Sequence, residues 1–329
     1  MSADHSGAHA STPRPLAWLP YRPEEIEGLP DGLEYAYWNG GGDYPTDPAR
    51  VAFYGVPYEI DGRLAPAEVC LRPLPLMRGV RVVQALTAGV DHLKSALPLL
   101  PSGAVLCNAR GLHDASTAEL ALTLTLASLR DIPGFVRAQD AGEWRQGFRP
   151  ALADKAVLIV GYGSIGRAIE ERLAPFECAR VTRVARAPRH AERGPVHPVT
   201  ALPGLLPDAD VVIVATPLTD ETRGLFDAGL LARMKDGALL VNVARGAVVD
   251  TEALVAEVRS GRLRAALDVT DPEPLPPGHP LWSTPNTLIT PHVGGPSSAF
   301  RPRAEALLRG QLAGFVLDEP LRNVVGTAI

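Results

Sequence analysis

Four side chains in the last third of the chain have the types needed to move a proton beside a hydride: Arg245, Asp268, Glu273 and His292. Each stands at or just past the end of a short apolar run, in "LLVNVARG", "ALDVTDPEP" and "LITPHVGG". Carrying hydride to or from a carbon that bears oxygen requires a proton at that oxygen, and imidazole is suited to supply it near neutral pH. A neighbouring carboxylate fixes the ring and favours its charged form. An arginine can hold a substrate carboxylate and polarise the adjacent carbonyl. Singly, these residues read as a surface arginine, a capping aspartate, a loop glutamate and a satisfied histidine. Four together at the carboxyl edge of one predicted sheet point to catalysis. Asp268, Asp271, Glu273, His279 and His292 also have metal-ligand types. Pro272, Pro274 and Pro276 stiffen that loop, however, and the set lacks ligand spacing, so no metal is expected.

Upstream, "LIVGYGSIGRAIE" places Gly161, Gly163 and Gly166 between an apolar strand and a helix, with Ser164 and Ile165 at the helix start. The first glycine permits a tight turn, the second lets backbone approach a pyrophosphate, and the third lets helix and strand pack closely. The free N–H groups of the helix start then face the phosphates. A ligand-free turn is the weaker reading, and the loop by itself leaves flavin and other nucleotides open. The next strand ends in "VTRVARAPR", with Ala185 where a ribose-binding Asp or Glu usually stands. That acid would repel a 2′-phosphate; two like charges about 4 Å apart cost about 4 kcal/mol at a surface-like dielectric. Its absence, with Arg186 and Arg189 (and Arg183 as a possible helper) close by, predicts NADP(H) in preference to NAD(H), with NAD(H) possible. The alternative is that Arg180, Arg183, Arg186, Arg189 and Arg193 form a solvated turn and the cofactor is NADH.

The elements that must carry these residues alternate short apolar runs (156–160, 179–185, 210–216, 237–244, 264–270, 287–290) with amphipathic stretches, the sign of βαβ units and a parallel sheet. Runs at 33–38, 50–56, 80–86 and 104–108 repeat the pattern more weakly and predict a second, smaller α/β domain. The expected division is a disordered lead over 1–15, a substrate domain from 16–110 plus 295–329, and a dinucleotide-binding domain over 111–294. The helix predicted at 114–131 is apolar or small nearly all round, with Glu119 its one charge between the ends. It must be covered on most sides, by the other domain or, preferably, by a second subunit. The stretch 294–320 predicts a turn and one long helix, and Trp282 is expected in a core. Residues 50–90 and the region around Trp144 and Trp282 are expected to line the substrate side-chain pocket. A length of 329 residues suits two domains, and a net charge of −5 without like-charge runs disfavours a nucleic-acid partner. No run is long enough to span a membrane, and the start lacks a secretory pattern, so a cytoplasmic protein is expected. Cys70, Cys107 and Cys178 are odd in number and far apart, which predicts reduced, buried thiols.

The motifs "GYGSIGRAI", "PLTDETRGLFD", "VNVARGAVVDTEAL", "ALDVTDPEPLP" and "TPHVGG", in this order and spacing, resemble the D-isomer-specific 2-hydroxyacid dehydrogenases over residues 80 to 295, with a fainter likeness on either side. The resemblance implies two Rossmann-like domains, a doubly wound cofactor domain and a smaller flavodoxin-like substrate domain, with the active site in the cleft between. It implies a catalytic set of Arg245, Glu273 and His292, and a substrate carboxylate held by Arg245 and by the backbone amides of "LTAGVD", chiefly at Ala88 and Gly89. Asp268 would orient the nicotinamide carboxamide. Thr216, Pro217, Val243 and His292 would border the cofactor, and the 114–131 helix would form a homodimer. Ala185 resembles the NADPH-using glyoxylate and hydroxypyruvate reductases of the family. The end at Ile329 leaves no room for the regulatory domain of long phosphoglycerate dehydrogenases. Glu273 disfavours formate and Ala88 disfavours phosphite as substrates. A nucleotide-binding regulatory or scaffold protein with little turnover is the second reading.

Overall fold

A computed structural model describes residues 13–328, so the expected lead lies almost wholly outside the described residues. The chain forms two compact units, one from residues up to Ala109 together with those from Pro302 onward, the other from Arg110–Arg301.

In the first unit, strands β1 (Leu16–Leu19), β2 (Glu34–Tyr37), β3 (Val51–Gly55), β6 (Val82–Gln84) and β7 (Val105–Cys107) are parallel in the order β2-β1-β3-β6-β7. A ribbon of β4 (Glu59–Ile60) and β5 (Arg63–Leu64) and the short helices α1 (Ala67–Leu71) and α2 (Asp91–Lys94) lie between them in sequence. This is the 2-1-3-4-5 order of flavodoxin-like sheets. Trp18, Trp38, Tyr54, Val83 and Leu106 belong to its core. Cys70 and Cys107 are free and buried, and burial pushes both thiols up to about 11. Cys178, in the second unit, is free and only half-buried.

The second unit opens with α3 (Asp114–Leu129) and α4 (Ile132–Asp140). Its strands are β8 (Ala156–Val160), β9 (Arg180–Ala185), β10 (Arg189–Ala191), β11 (Gly194–Pro198), β12 (Val211–Val214), β13 (Leu239–Asn242), β14 (Arg264–Leu267) and β15 (Thr287–Ile289). The order β10-β11-β9-β8-β12-β13-β14-β15 is parallel except for β10. From β11 to β14 this is the doubly wound 3-2-1-4-5-6 order, with its crevice where β8 meets β12. The central strands read as unbroken apolar runs because helices cover both faces. Along them the side chains alternate: Val157, Ile159, Val211, Ile213, Leu239 and Val241 pack with α3 and α5 (Ser164–Leu173), while Leu158, Val160, Val212, Val214 and Leu240 face Phe226, Leu254 and Val258.

The fold covers most of α3 from within its own unit. Ala118, Ala121, Leu122, Leu124, Thr125 and Leu129 are buried, and the helix packs against α5, β13 and β14 of its own unit. Glu119 and Thr123, one turn apart, are exposed, with Leu120 and Leu126 half-buried beside them. After α9 (Phe300–Val316) the chain adds a strand the apolar pattern did not mark, β16 (Val324–Thr327), antiparallel to β7. Arg189 lies in the hairpin of β10 and β11; Arg180, Arg186, Arg189 and Arg193 are exposed, and Arg183 is buried. Among the described residues no helix is long and apolar enough to cross a membrane.

Candidate active site

The loop joining β8 to α5 fits a dinucleotide. Gly161 has φ +104°, and a Cβ there would lie 2.4 Å from the Thr216 amide nitrogen; a Cβ on Gly166 would lie 2.4 Å from the Gly161 carbonyl oxygen. Those two positions are closed to any side chain, whereas a Cβ on Gly163 would meet nothing within 4 Å. The middle glycine thus leaves open space at the helix start, which is the room a pyrophosphate needs. Both the Gly161 and Tyr162 amides donate to the Val184 carbonyl at 2.9 Å and tie the loop to β9. Thr216 follows β12 at the switch point, and the Pro217 carbonyl accepts from the Thr222 hydroxyl at 2.7 Å. Val243 is buried just past β13, and Ile165 is half-buried in the first turn of α5.

Three charged residues not singled out from sequence, Arg110, Arg167 and Asp114, stand near this helix start. A cavity of about 610 Å³ beside Gly163 is lined by Arg110, Arg167, Arg189 and Arg193. Asp114, at the start of α3, is hydrogen-bonded to the Ser164 side chain; burial raises its carboxyl above the usual range, against the opposing pull of that bond and of Arg110, Arg167 and His113. Asp114 is the first residue of the predicted apolar helix, and a residue at a helix start reads in sequence as a cap, which concealed it.

The structure sorts the arginines of "VTRVARAPR". Arg186 is exposed past the tip of β9. The Glu221 carboxyl in the loop after β12 lies below its usual range, chiefly through a hydrogen bond with the Thr219 side chain, and Arg186 adds to that lowering. Arg189 is exposed, and its Nη2 donates to the Tyr162 carbonyl. Arg183 is unavailable to a phosphate. It is buried on β9, with Nε donating to Glu170 Oε2 at 2.8 Å and Nη2 paired with Oε1. The Tyr162 hydroxyl donates to the same Oε2.

At the other end of the sheet's carboxyl edge, His292 Nδ1 lies 2.5 Å from Glu273 Oε1, with both side chains partly open to solvent. His292 has φ +56°, a left-handed conformation that a non-glycine residue holds only under constraint. The constraint is Asp268, 2% exposed. Its carboxylate accepts from the Thr290 hydroxyl at 2.6 Å and from the Val293 and Gly294 amides at 2.9 Å each, while its carbonyl accepts from the His292 amide at 2.8 Å. Asp268 therefore builds the turn that carries His292. Arg245 follows β13, half-buried, with its carbonyl held by Asn242 Nδ2 at 3.0 Å and its Nη1 donating to the Ala244 carbonyl at 2.8 Å. The next residue must be glycine, because a Cβ on Gly246 would stand 1.9 Å from the Thr270 carbonyl oxygen. That close approach lays the Arg245 turn on the turn leading to Glu273.

In the first unit, the turn after β6 holds Ala88 and Gly89, both half-buried, and Asn108 Nδ2 donates to the Ala88 carbonyl at 2.7 Å. Trp282 is not a core residue. It is 55% exposed, and its indole N–H donates to the Pro276 carbonyl at 3.0 Å. Trp144 is 90% exposed. His279 caps a short turn, its Nδ1 accepting from the Leu281 amide at 3.3 Å.

Residues 122–294 match the family described as D-isomer specific 2-hydroxyacid dehydrogenase, NAD binding domain. A glyoxylate reductase/hydroxypyruvate reductase of Mus musculus is 36% identical over 232 residues, covering 68% of this chain and 70% of that protein. A D-isomer specific 2-hydroxyacid dehydrogenase of Xanthobacter autotrophicus Py2, solved with NADPH and MES, superposes with a TM-score of 0.76 at 31% identity, covering 94% of this chain and 97% of that one. An NADPH-dependent glyoxylate/hydroxypyruvate reductase of Sinorhizobium meliloti, solved with NADP and sulfate, gives a TM-score of 0.78 at 27% identity, covering 95% and 98%.

Proposed function

The chain belongs to the D-isomer-specific 2-hydroxyacid dehydrogenase family and is an NAD(P)-dependent oxidoreductase, and from that premise we propose that it reduces a small 2-keto acid such as glyoxylate or hydroxypyruvate to the D-2-hydroxy acid, with NADPH preferred over NADH. The reductases named above support the substrate class. The observation that carries the catalytic part is the 2.5 Å contact of His292 Nδ1 with Glu273 Oε1. It commits Nδ1 to the carboxylate and leaves Nε2 as the nitrogen that holds and transfers the proton to the keto oxygen. When bound, the nicotinamide supplies the hydride. Arg245 holds the substrate carboxylate and polarises the carbonyl; Ala88 and Gly89 are read as substrate-binding residues through their backbone amides. Gly161, Gly163, Ser164, Ile165 and Gly166 receive the pyrophosphate, Thr216, Pro217 and Val243 border the cofactor, and Asp268 keeps His292 in place.

The cofactor preference rests on the carboxylate-free end of β9 at Ala185, with Arg186 and Arg189 exposed next to it. The protein is also read as a cytoplasmic homodimer. Support for a second copy comes from apolar side chains left open on α4 and in the segment that follows it: Ile132 at 47%, Val136 at 50%, Trp144 at 90% and Phe148 at 105% exposure.

Initial rates of NADPH and NADH oxidation with glyoxylate, hydroxypyruvate, pyruvate and a bulky aryl keto acid test the reading. Faster turnover of a small keto acid with NADPH is expected. Equal rates with both cofactors would remove the phosphate-binding role of Arg186 and Arg189. No turnover with any pair would favour a nucleotide-sensing role.

A further inference from the structure

Beneath the glycine loop, Tyr162, Glu170 and Arg183 form a closed polar group, 5%, 4% and 8% exposed. Glu170 Oε2 receives the Tyr162 phenol and Arg183 Nε, and Oε1 receives Arg183 Nη2. Burying such a set does little for stability, because desolvation offsets the attraction and apolar side chains of similar volume serve a fold as well. What it does provide is direction. Tyr162 is the residue between the first two glycines of the loop; its phenol is anchored inward, and its carbonyl accepts from Arg189 Nη2. Arg183 also backs the hairpin that carries Arg189: a Cβ on Gly194 would lie 3.3 Å from Arg183 Nη1. The exposed arginine fork is therefore fixed from two sides, through Tyr162 and through the hairpin, by one buried guanidinium.

We propose that Arg183 is a positioning residue for cofactor selection, which through Glu170 and Tyr162 holds the Arg189 guanidinium preformed for the extra phosphate of NADPH. An exposed arginine pays rotamer entropy when it closes on an anion, and prior fixation removes that cost. Arg189 spends one donor on the Tyr162 carbonyl and keeps the others for phosphate oxygens. Burial and the Glu170 carboxylate both raise the Tyr162 phenol above its usual range, so it stays a donor across the working pH. This inference rests on the proposed preference for NADPH and concerns how that preference is built.

The test uses the full-length protein and equilibrium titrations with NADPH, NADH, adenosine 2′,5′-bisphosphate and AMP. Tyr162→Phe deletes one hydrogen bond and leaves the Arg183–Glu170 pair intact, so the fold is retained, as a melting curve will verify. NADPH and the bisphosphate are expected to bind about tenfold more weakly, as suits a lost bond to a charged group, with the NADH and AMP constants within about twofold of wild type. Arg183→Lys keeps the charge but loses the fork, and gives an intermediate loss of the same selectivity. Equal weakening of NADPH and NADH would overturn the proposal, because the network would then merely support the loop. Arg189→Ala separates the two ideas. A wild-type protein without preference, and insensitive to Arg189→Ala, removes the NADPH reading and this inference with it. A preference lost in Arg189→Ala but kept in both network variants removes the inference alone.

Discussion

The two ends of the cofactor sheet's carboxyl edge solve the same problem with different chemistry. At one end a half-buried functional group, His292, is held by a buried carboxylate, Asp268; at the other, the exposed Arg189 is held by way of a buried carboxylate, Glu170. Asp268 is satisfied by a hydroxyl and two backbone amides, all neutral and all from the turn it builds. Glu170 is satisfied by a phenol and a guanidinium from two other elements. A carboxylate capped by amides of its own turn fixes a local conformation and depends on no distant partner. One paired with a buried cation links a helix, a loop and a strand, and it makes the fold sensitive to loss of either charge. The catalytic end should therefore fail in turnover before stability, and the phosphate end in stability before turnover.

The sharpest break of that contrast is His292→Ala. General acid–base catalysis by a placed histidine contributes about 10²- to 10⁴-fold, so kcat is expected to fall within that range while NADPH binding and the melting curve stay near wild type. Near-normal turnover would sink the assignment. Arg183→Met comes next. It leaves Glu170 buried and unpaired, and is expected to cost about 3–5 kcal/mol in denaturant titration, whereas Arg183→Met combined with Glu170→Met and Tyr162→Phe should return close to wild-type stability. A triple variant no more stable than the single one would show that the network is structural after all. Asp268→Asn is milder. An amide keeps the size but turns donors toward the Val293 and Gly294 amides, so kcat should fall about 10- to 100-fold through misplacement of His292, with the NADH dissociation constant little changed. A stability loss as large as that of Arg183→Met would erase the contrast drawn between the two ends.

Legibility in the sequence follows the same division. The strands of the second unit could be read because they are covered on both faces and spell continuous apolar runs; Val211–Val214 and Leu239–Asn242 sit inside the expected 210–216 and 237–244. In the first unit Leu16–Leu19 and Val324–Thr327 escaped notice, the former for its shortness, the latter because an edge strand with exposed Val324 and Val325 carries no apolar pattern. Arg245, Glu273 and His292 stood out by residue type at strand ends, and the structure brings the last two into contact. The supporting residues did not. Glu170 lies on an amphipathic helix where a charge reads as solvent-facing, and Arg183 among five arginines reads as one more surface cation. Only the pairing of a charge on the inward side of α5 with one on the inward side of β9 reveals them, and that pairing is a property of three dimensions. Asp268 shows the same limit: its type marks it as functional, but only the donors around it show that it also builds the His292 turn.

The smallest expected effect concerns Asp114, a third acid near the site and the one least well compensated. Burial raises its folded carboxyl above the unfolded value of about 3.9. A group raised in this way contributes its stability below the unfolded pKa and loses it as pH climbs through the folded one, so at pH 7 ionised Asp114 is a net liability. Asp114→Asn retains an acceptor for Ser164 and removes the charge. The variant should melt slightly higher than wild type at pH 7, and the gain should vanish as pH falls below about 4, where the wild-type carboxyl is also neutral. The same charge stands at the helix start that receives the pyrophosphate, so its removal should tighten NADPH and NADH alike, by about two- to threefold at low ionic strength and less at high salt. Equal tightening of both cofactors sets Asp114 apart from the Tyr162, Glu170 and Arg183 group, which acts on NADPH selectively. A lower melting temperature for Asp114→Asn at pH 7 would mean that the attraction of Arg110, Arg167 and the start of α3 outweighs burial at this site.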